Sequence, residues 1–270
     1  MSLTKETFTL RNGVRIPKVG YGTWRIFEGE KETEIFKAAI DKGYRLIDTA
    51  AMYDNELSVG RAIRESGVKR EDLFVTSKLM FDIHSHDEAL DAFEKTLARL
   101  DLDYLDLYLI HAPAPISEGG ANHENANIEV WKAFEKLYEE GRIRAIGVSN
   151  FNVEELKNLI AHTDIIPHVN QIPFYAGLDQ EELLAYCFET GIIVEAYSPL
   201  AKGRLAKHKT VNAIAQKHGR TPGQIALRYT LERGTIPLPK TAKLERMDEN
   251  MALDFSLDEE DIDALKTFKH

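Results

Sequence analysis

The stretch "KVGYGTW" (residues 18–24) places two glycines, Gly20 and Gly22, one residue apart at the end of a short apolar run. An open, doubly wound sheet that binds a dinucleotide begins in a similar way. It then needs a third glycine three residues on, where a helix opens onto the pyrophosphate. No glycine stands at that offset, and no Walker-type loop occurs elsewhere in the chain. The open sheet thus loses its main signature, and the pattern on either side of the stretch has to decide.

Upstream, "TFTLRNGVRIP" alternates around Asn12-Gly13, a two-residue hairpin signal. Downstream, short apolar runs alternate with longer helical patterns. "KVGYG" leads to a helix over 30–42 closed by Gly43, "YRLID" to 55–65, "LFVTSK" to 87–100, and "YLDLYLIH" to 127–140 with Gly141 as its cap. "IRAIGVSN" leads to 153–161, capped by Asn152, and "HVNQI" to 180–189. "IIVEAYS" leads to 211–217 and 222–232, and "TIPLPK" to 244–253; a last amphipathic segment covers 257–268. Eight strand-then-helix units in about 250 residues imply a parallel sheet covered by helices and match a closed (β/α)8 TIM barrel, of class α/β, preceded by a β-hairpin. No linker rich in Pro, Gly or Ser divides them, so a single domain over 1–270 is expected.

The bulk properties narrow the function. A composition of 43% hydrophobic and 29% charged residues is that of an ordinary soluble protein. A net charge of −10 argues against nucleic acid or an anionic membrane as the main partner. No stretch approaches the roughly 20 apolar residues of a membrane helix, and "MSLTKETFTL" lacks the layout of a signal peptide. The single cysteine, Cys187, lies in the apolar helical pattern "EELLAYCFETG" and reads as an inert buried thiol. A cytoplasmic, reducing setting is expected.

In such barrels the active site lies at the C-terminal ends of the strands. Those ends carry, in order, Thr23-Trp24, Asp48, Lys78, His111, Ser149-Asn150, Gln171, Tyr197-Ser198 and Lys240. Each alone has a plain structural reading: Asp48 as a helix cap, Lys78 as a solvated loop lysine, His111 as a satisfied histidine beside Pro113. Together they put a polar or aromatic group from every strand at one mouth. "RLIDTAAMYDNE" (residues 45–56) adds Tyr53 five residues after Asp48. An ammonium from Lys78, held by Asp48, would favour the phenolate of Tyr53 and lower its pKa, making it a usable proton donor to a developing alkoxide. His111 would hydrogen-bond the same substrate oxygen. No side chain is a convincing nucleophile or hydride source, so a cofactor has to bring the hydride.

"LIDTAAMYDNE", "TSK", "LIH", "GVSNF", "VNQI", "AYSPL" and "LPKTAKLERMDEN" resemble, in order, the characteristic stretches of the aldo-keto reductases. The resemblance covers nearly the whole chain and is closest to compact, bacterial-style members of the diketogluconate and glyoxal reductase kind. It implies an NAD(P)H-dependent carbonyl reductase with Asp48, Tyr53, Lys78 and His111 as catalytic tetrad, acting as a monomer. By the same resemblance Ser149, Asn150 and Gln171 bond the nicotinamide carboxamide and Tyr197 stacks on its ring. Gly22 and Thr23 lie near it, and Ser198 and Leu200 lie along the pyrophosphate. Lys240, Thr241, Lys243 and Arg246 surround a 2′-phosphate, and Glu249 and Asn250 hold the adenine. Three cations at a helix start oppose the helix dipole unless a phosphate faces them, which favours NADPH over NADH.

The substrate pocket departs from the family pattern. His111 is followed by Ala112 rather than a tryptophan, so a wider pocket is expected there, walled by Trp24, with Met80 and Phe81 nearby. The chain ends soon after its last helix, which implies an open site; residues 112–127 are the loop expected to close over substrate. His84 and His86 have a metal-like spacing without a third ligand, so no metal is expected. The leading reading is reduction of aldehydes or small ketones, including α-keto aldehydes, dicarbonyls and sugar-derived carbonyls. The alternatives are a dehydrogenase running toward oxidation and an NADPH-binding sensor with negligible turnover.

Overall fold

The computed structural model describes residues 6–113, 123–178 and 180–268. Two short strands, β1 (Thr7–Thr9) and β2 (Arg15–Pro17), pair antiparallel with Phe8 opposite Ile16. Their turn differs from the expected two-residue loop. Leu10 N–H bonds the Val14 carbonyl at 2.8 Å and Gly13 N–H the Leu10 carbonyl at 2.9 Å, leaving Arg11-Asn12-Gly13 as a three-residue loop. Gly13 takes the left-handed position, φ 86°, that such a loop requires.

Eight parallel strands follow: β3 (Gly20–Gly22), β4 (Leu46–Asp48), β5 (Phe74–Leu79), β6 (Leu107–Ile110), β7 (Ile146–Ser149), β8 (Val169–Pro173), β9 (Ile193–Tyr197) and β10 (Ile236–Leu238). Each pairs with its predecessor in sequence. Between the first and last, Gly22 N–H donates to the Pro239 carbonyl at 3.0 Å. The pair Gly20 and Gly22 therefore has a packing role. A Cβ on Gly20 would lie 2.4 Å from a Leu238 methyl and 2.8 Å from a Leu46 methyl. The missing side chains leave room for the interior leucines where the barrel closes.

Alternation along the strands sorts the residues into two cores. Leu46, Phe74, Leu107, Leu109, Val169, Ile236 and Leu238 fill the barrel interior, and Leu10 and Ile16 of the hairpin join them at its lower end. The opposite strand faces pack with the helices in the larger cluster, which includes Phe36, Phe93, Trp131 and Leu184. Those helices are α1 (Glu30–Asp41), α2 (Glu56–Glu65), α3 (His86–Leu100), α4 (His123–Glu139), α5 (Val153–Ala161), α6 (Glu181–Thr190), α7 (Lys209–His218), α8 (Pro222–Glu232), α9 (Leu244–Met251) and α10 (Glu259–Thr267). α8 packs on β10 and α9, while α7 and α10 pack on α8 and on each other.

Most helices begin or end within two residues of expectation. The exception is α4, whose start at His123 lies four residues earlier than the apolar periodicity indicates. Asn152 caps α5 as expected, and the structure adds a reciprocal bond from Glu155 that makes it a capping box. Thr221 and Gln224 form the same box at α8. Cys187 is buried, and burial pushes its thiol up to about 12, as expected for an inert core residue. No described helix is long and apolar enough to cross a membrane. The loop expected to close over substrate falls largely on residues 114–122, outside the described residues.

Candidate active site

Asp48, the last residue of β4, and Lys78, near the end of β5, face one another inside the barrel. Lys78 is fully buried, and its Nζ donates to Asp48 Oδ1 at 2.7 Å, Asp48 Oδ2 at 2.8 Å and the Thr49 carbonyl at 2.8 Å. A single 3-10 turn, Ala51–Tyr53, carries the phenol back over the pair, and Asp54 ends that turn in a left-handed conformation, φ 51°. Tyr53 Oη lies 3.3 Å from Lys78 Nζ. Asn55 holds this turn in place. Its amide nitrogen donates to the Thr23 and Ile26 carbonyls at 3.0 and 2.7 Å, and its oxygen accepts from Thr49 Oγ1 at 2.6 Å. The His111 ring stands edge-on to Tyr53 with centroids 5.8 Å apart, and its carbonyl accepts from Asn150 Nδ2 at 3.0 Å.

The electrostatics differ from the sequence expectation at one point. Burial raises the Tyr53 pKa and outweighs the ammonium of Lys78, which pulls it down, so the net direction is upward. At Lys78 burial opposes the charged form, but Asp48 and the phenol together carry the net direction upward. His111 is pushed down to about 3 by burial and by the Lys78 charge, and is therefore a neutral imidazole. The cluster at neutral pH is an ammonium–carboxylate pair beneath a protonated phenol and a neutral ring, a proton donor beside a neutral hydrogen-bonding group.

A cleft of ≈ 580 Å³ opens above this cluster. Of the residues singled out in the sequence, Gly22, Trp24, Asp48, Tyr53, His111, Ser149, Asn150, Gln171, Tyr197, Ser198, Leu200, Lys240 and Arg246 line it. Lys78 sits beneath. Thr23 does not reach the cleft: it is fully buried, and its hydroxyl donates to the Asp48 carbonyl at 3.0 Å. Phe81 and Ala112 are not among the described lining residues; Met52 joins Trp24 as an apolar wall instead. Thr241, Lys243, Glu249 and Asn250 lie off the cleft around the start and inner face of α9. There Thr241 Oγ1 accepts from Lys243 N–H at 3.1 Å, Glu249 accepts from the Thr221 hydroxyl, and Asn250 is buried. His86 opens α3 and pairs with Asp87 at 2.9 Å, a surface contact.

The polar groups of the cleft floor are tied to one another. Ser149 Oγ donates to the Gln171 carbonyl at 2.8 Å and accepts from Asn150 Nδ2 at 3.0 Å, while Asn150 Oδ1 accepts from Tyr197 Oη at 2.8 Å. Asn150 and Ser198 hold left-handed backbones, φ 63° and 51°, and Ala201 and Lys202 continue that strain along the rim, φ 46° and 56°. Sequence reasoning missed Met52, Lys202 and Gly203, which line the cleft, and Glu195, a fully buried carboxyl on β9. A signal for Glu195 was present: a lone acid on the inward parity of the apolar run "IIVEAY".

The profile of the aldo/keto reductase family matches residues 18–269. The chain belongs to the aldo/keto reductase family. Glyoxal reductase of Bacillus subtilis (strain 168) is 46% identical over 262 residues, 97% of this chain and 92% of that one. The crystal structure of the aldo/keto reductase from Brucella melitensis superposes with a TM-score of 0.90 at 40% identity, covering 97% of this chain and 98% of that chain. That of a Bombyx mori aldo-keto reductase, in complex with NADP, gives 0.89 at 38%, covering 98% and 92%. The aldo/keto reductase barrel thus extends over nearly the whole chain.

Proposed function

We propose that this aldo/keto reductase is an NADPH-dependent reductase of aldehydes and small ketones, with Tyr53 as the proton donor. One observation carries the reading: Lys78 Nζ bridges Asp48 at 2.7 Å and the Tyr53 phenol at 3.3 Å, at the floor of an open cleft. Tyr53 holds its proton at neutral pH and delivers it to a carbonyl oxygen as charge develops there. Lys78, anchored by three acceptors, stabilises the phenolate left behind. His111, kept neutral, orients the carbonyl oxygen by a hydrogen bond.

NADPH, when bound, supplies the hydride that no side chain provides. The residues present suit it. Among the described residues Lys240, Lys243 and Arg246 have no carboxylate partner in a chain of net charge −10, and no side chain caps the N-terminus of α9. Those cations and free N–H groups fit a ribose 2′-phosphate, with Thr241 beside them and Glu249 and Asn250 at the adenine. Ser198, Leu200 and Lys202 lie along the route of the pyrophosphate. Gln171, Ser149 and Asn150 serve the carboxamide, and Tyr197 the ring.

The cleft, walled by Trp24 and Met52, and the relative named glyoxal reductase make α-keto aldehydes, other dicarbonyls and sugar-derived carbonyls the substrates to try first. A monomer in a cytoplasmic, reducing setting belongs to the same reading, and the single buried thiol of Cys187 fits a reducing setting.

The test follows absorbance at the reduced-nicotinamide band with NADPH, then NADH, against methylglyoxal, a nitrobenzaldehyde and an aldose. Tyr53→Phe should lose about 10²–10⁴-fold in turnover, the worth of a positioned general acid, with NADPH affinity unchanged. Retained turnover in that variant would overturn the mechanism.

A further inference from the structure

Glu195 is fully buried at the centre of β9, and the chemistry proposed above makes no use of it. Its strand neighbours Val194 and Ala196 pack outward in the cluster beneath the helices, so Glu195 shares the inward face with Ile193 and Tyr197. Its Oε2 accepts from Gln171 Nε2 at 2.8 Å, and that same nitrogen donates to Asp48 Oδ1 at 2.8 Å. Its Oε1 is buried without a hydrogen-bond partner among the described residues. The charged groups acting on it are Asp48 from β4 and Lys78 from β5; Gln171 opposite it on β8 is neutral, and so is Ile236 opposite it on β10.

A primary amide has two N–H donors on one side and one acceptor oxygen on the other. Both donors of Gln171 are engaged by carboxyl groups. Turning the amide over would set its oxygen against the Asp48 carboxylate, which can only accept. Gln171 lines the cleft, so the grip on its nitrogen decides which end of the amide is offered there. We propose that Glu195 is a positioning residue for the nicotinamide subsite, pinning Gln171 so that its oxygen faces the NH₂ of the cofactor's carboxamide. The inference rests on the reading of Gln171 as a carboxamide contact.

Burial and the Asp48 charge hold the Glu195 carboxyl in its neutral form up to about 8. Glutamine matches that neutral acid and still offers an acceptor oxygen; leucine offers none. NADPH dissociation constants, read by quenching of tryptophan fluorescence, separate the roles. Glu195→Leu should weaken NADPH about tenfold, the range of one buried hydrogen bond. Glu195→Gln should stay within about twofold of wild type. In a Gln171→Leu background, itself weaker, adding Glu195→Leu should cost nothing more, because the two residues act as a unit. An equal loss in both backgrounds would make Glu195 a packing residue only, and an unchanged affinity in the single variant would also overturn the proposal. If Gln171→Leu alone leaves NADPH binding intact, the placement of Gln171 at the carboxamide fails instead. Glu195→Thr, a good strand former too short to reach Gln171, gives the same comparison if the leucine variant does not fold.

Discussion

Lys78 is an ammonium with no exposed surface, an arrangement that is stable only when each donor finds an acceptor. Two carboxylate oxygens, one carbonyl and one phenol meet that requirement. The cost of the site therefore moves to Glu195, whose second oxygen has no partner among the described residues. In the unfolded chain a glutamate loses its proton near its ordinary pKa of about 4.3. In the folded barrel burial and Asp48 keep it to about 8. Between those values the native state holds a proton the unfolded state has lost, so this group's stabilising share is complete below pH 4 and declines as pH rises through 8. Glu195→Gln has no such proton. The difference in Tm, variant minus wild type, should widen from pH 5 to 8, and a difference independent of pH would show that Glu195 is ionised in the fold. Arg246 makes a separate prediction at this scale. Arg246→Ala should raise the Kd for NADPH by about tenfold or more while leaving that for NADH within about twofold, the loss of one charge-assisted contact to a phosphate. Equal losses for both cofactors would move the 2′-phosphate elsewhere.

At the scale of elements, the site is made at the junctions where strands run out. The polar run after β4 serves several of them at once. Asn55 binds the β3 loop, and Glu56, buried at the start of α2, accepts from Ser77 Oγ and Arg99 Nε at 2.6 Å each, tying α2 to β5 and α3. α2 and α3 approach each other at Gly60, where a Cβ would stand 2.0 Å from the Leu100 carbonyl oxygen. A glycine in the interior of a helical pattern is a poor helix former, and its presence marks such a close approach. Gly60→Ala should gain in helix propensity but lose more by forcing α2 off α3, for a net destabilisation of about 1–3 kcal/mol. Chemical denaturation would measure it; a stabilised variant would mean that the helices separate without strain. Several features were legible at this scale, among them Asn152 as the cap of α5 and the order of strands and helices, because caps and periodicity are local properties. The start of α4 was not, since the apolar periodicity begins only at Ile128, and the Asn-Gly pair misled on loop length because Gly13 can serve either turn.

Across the whole molecule the barrel has two unlike poles. At the hairpin end Leu10 and Ile16 join the interior core, and the buried Asp106 nearby is satisfied by Arg70 and Arg144 at 2.7 Å each and by Val75 N–H at 2.9 Å. The opposite pole holds the cleft, the strained loop at Ser198–Lys202 and the atoms of His111 and Glu195 that have no partner among the described residues. Stability and chemistry should therefore separate by pole. Ile16→Ala, at a position with no exposure, should cost about 2–5 kcal/mol in stability with kcat/KM unchanged well below Tm; a matching loss of activity would mean that the plug reaches the site. The sequence by itself determined the barrel, its hairpin and which residues stand at the strand ends, because alternation and turn chemistry record which face of each element meets the core. Tertiary structure alone decided that Gly20 and Gly22 serve closure against β10, that Thr23 is turned away from the cleft, that burial outweighs Lys78 at the Tyr53 phenol, and that Glu195 and Asp48 grip one amide. Asp48 and Gln171 are 123 residues apart in sequence and 2.8 Å apart in space. A one-dimensional pattern fixes which way each side chain points, whereas its charge state and partners depend on the groups that barrel closure brings from the opposite wall.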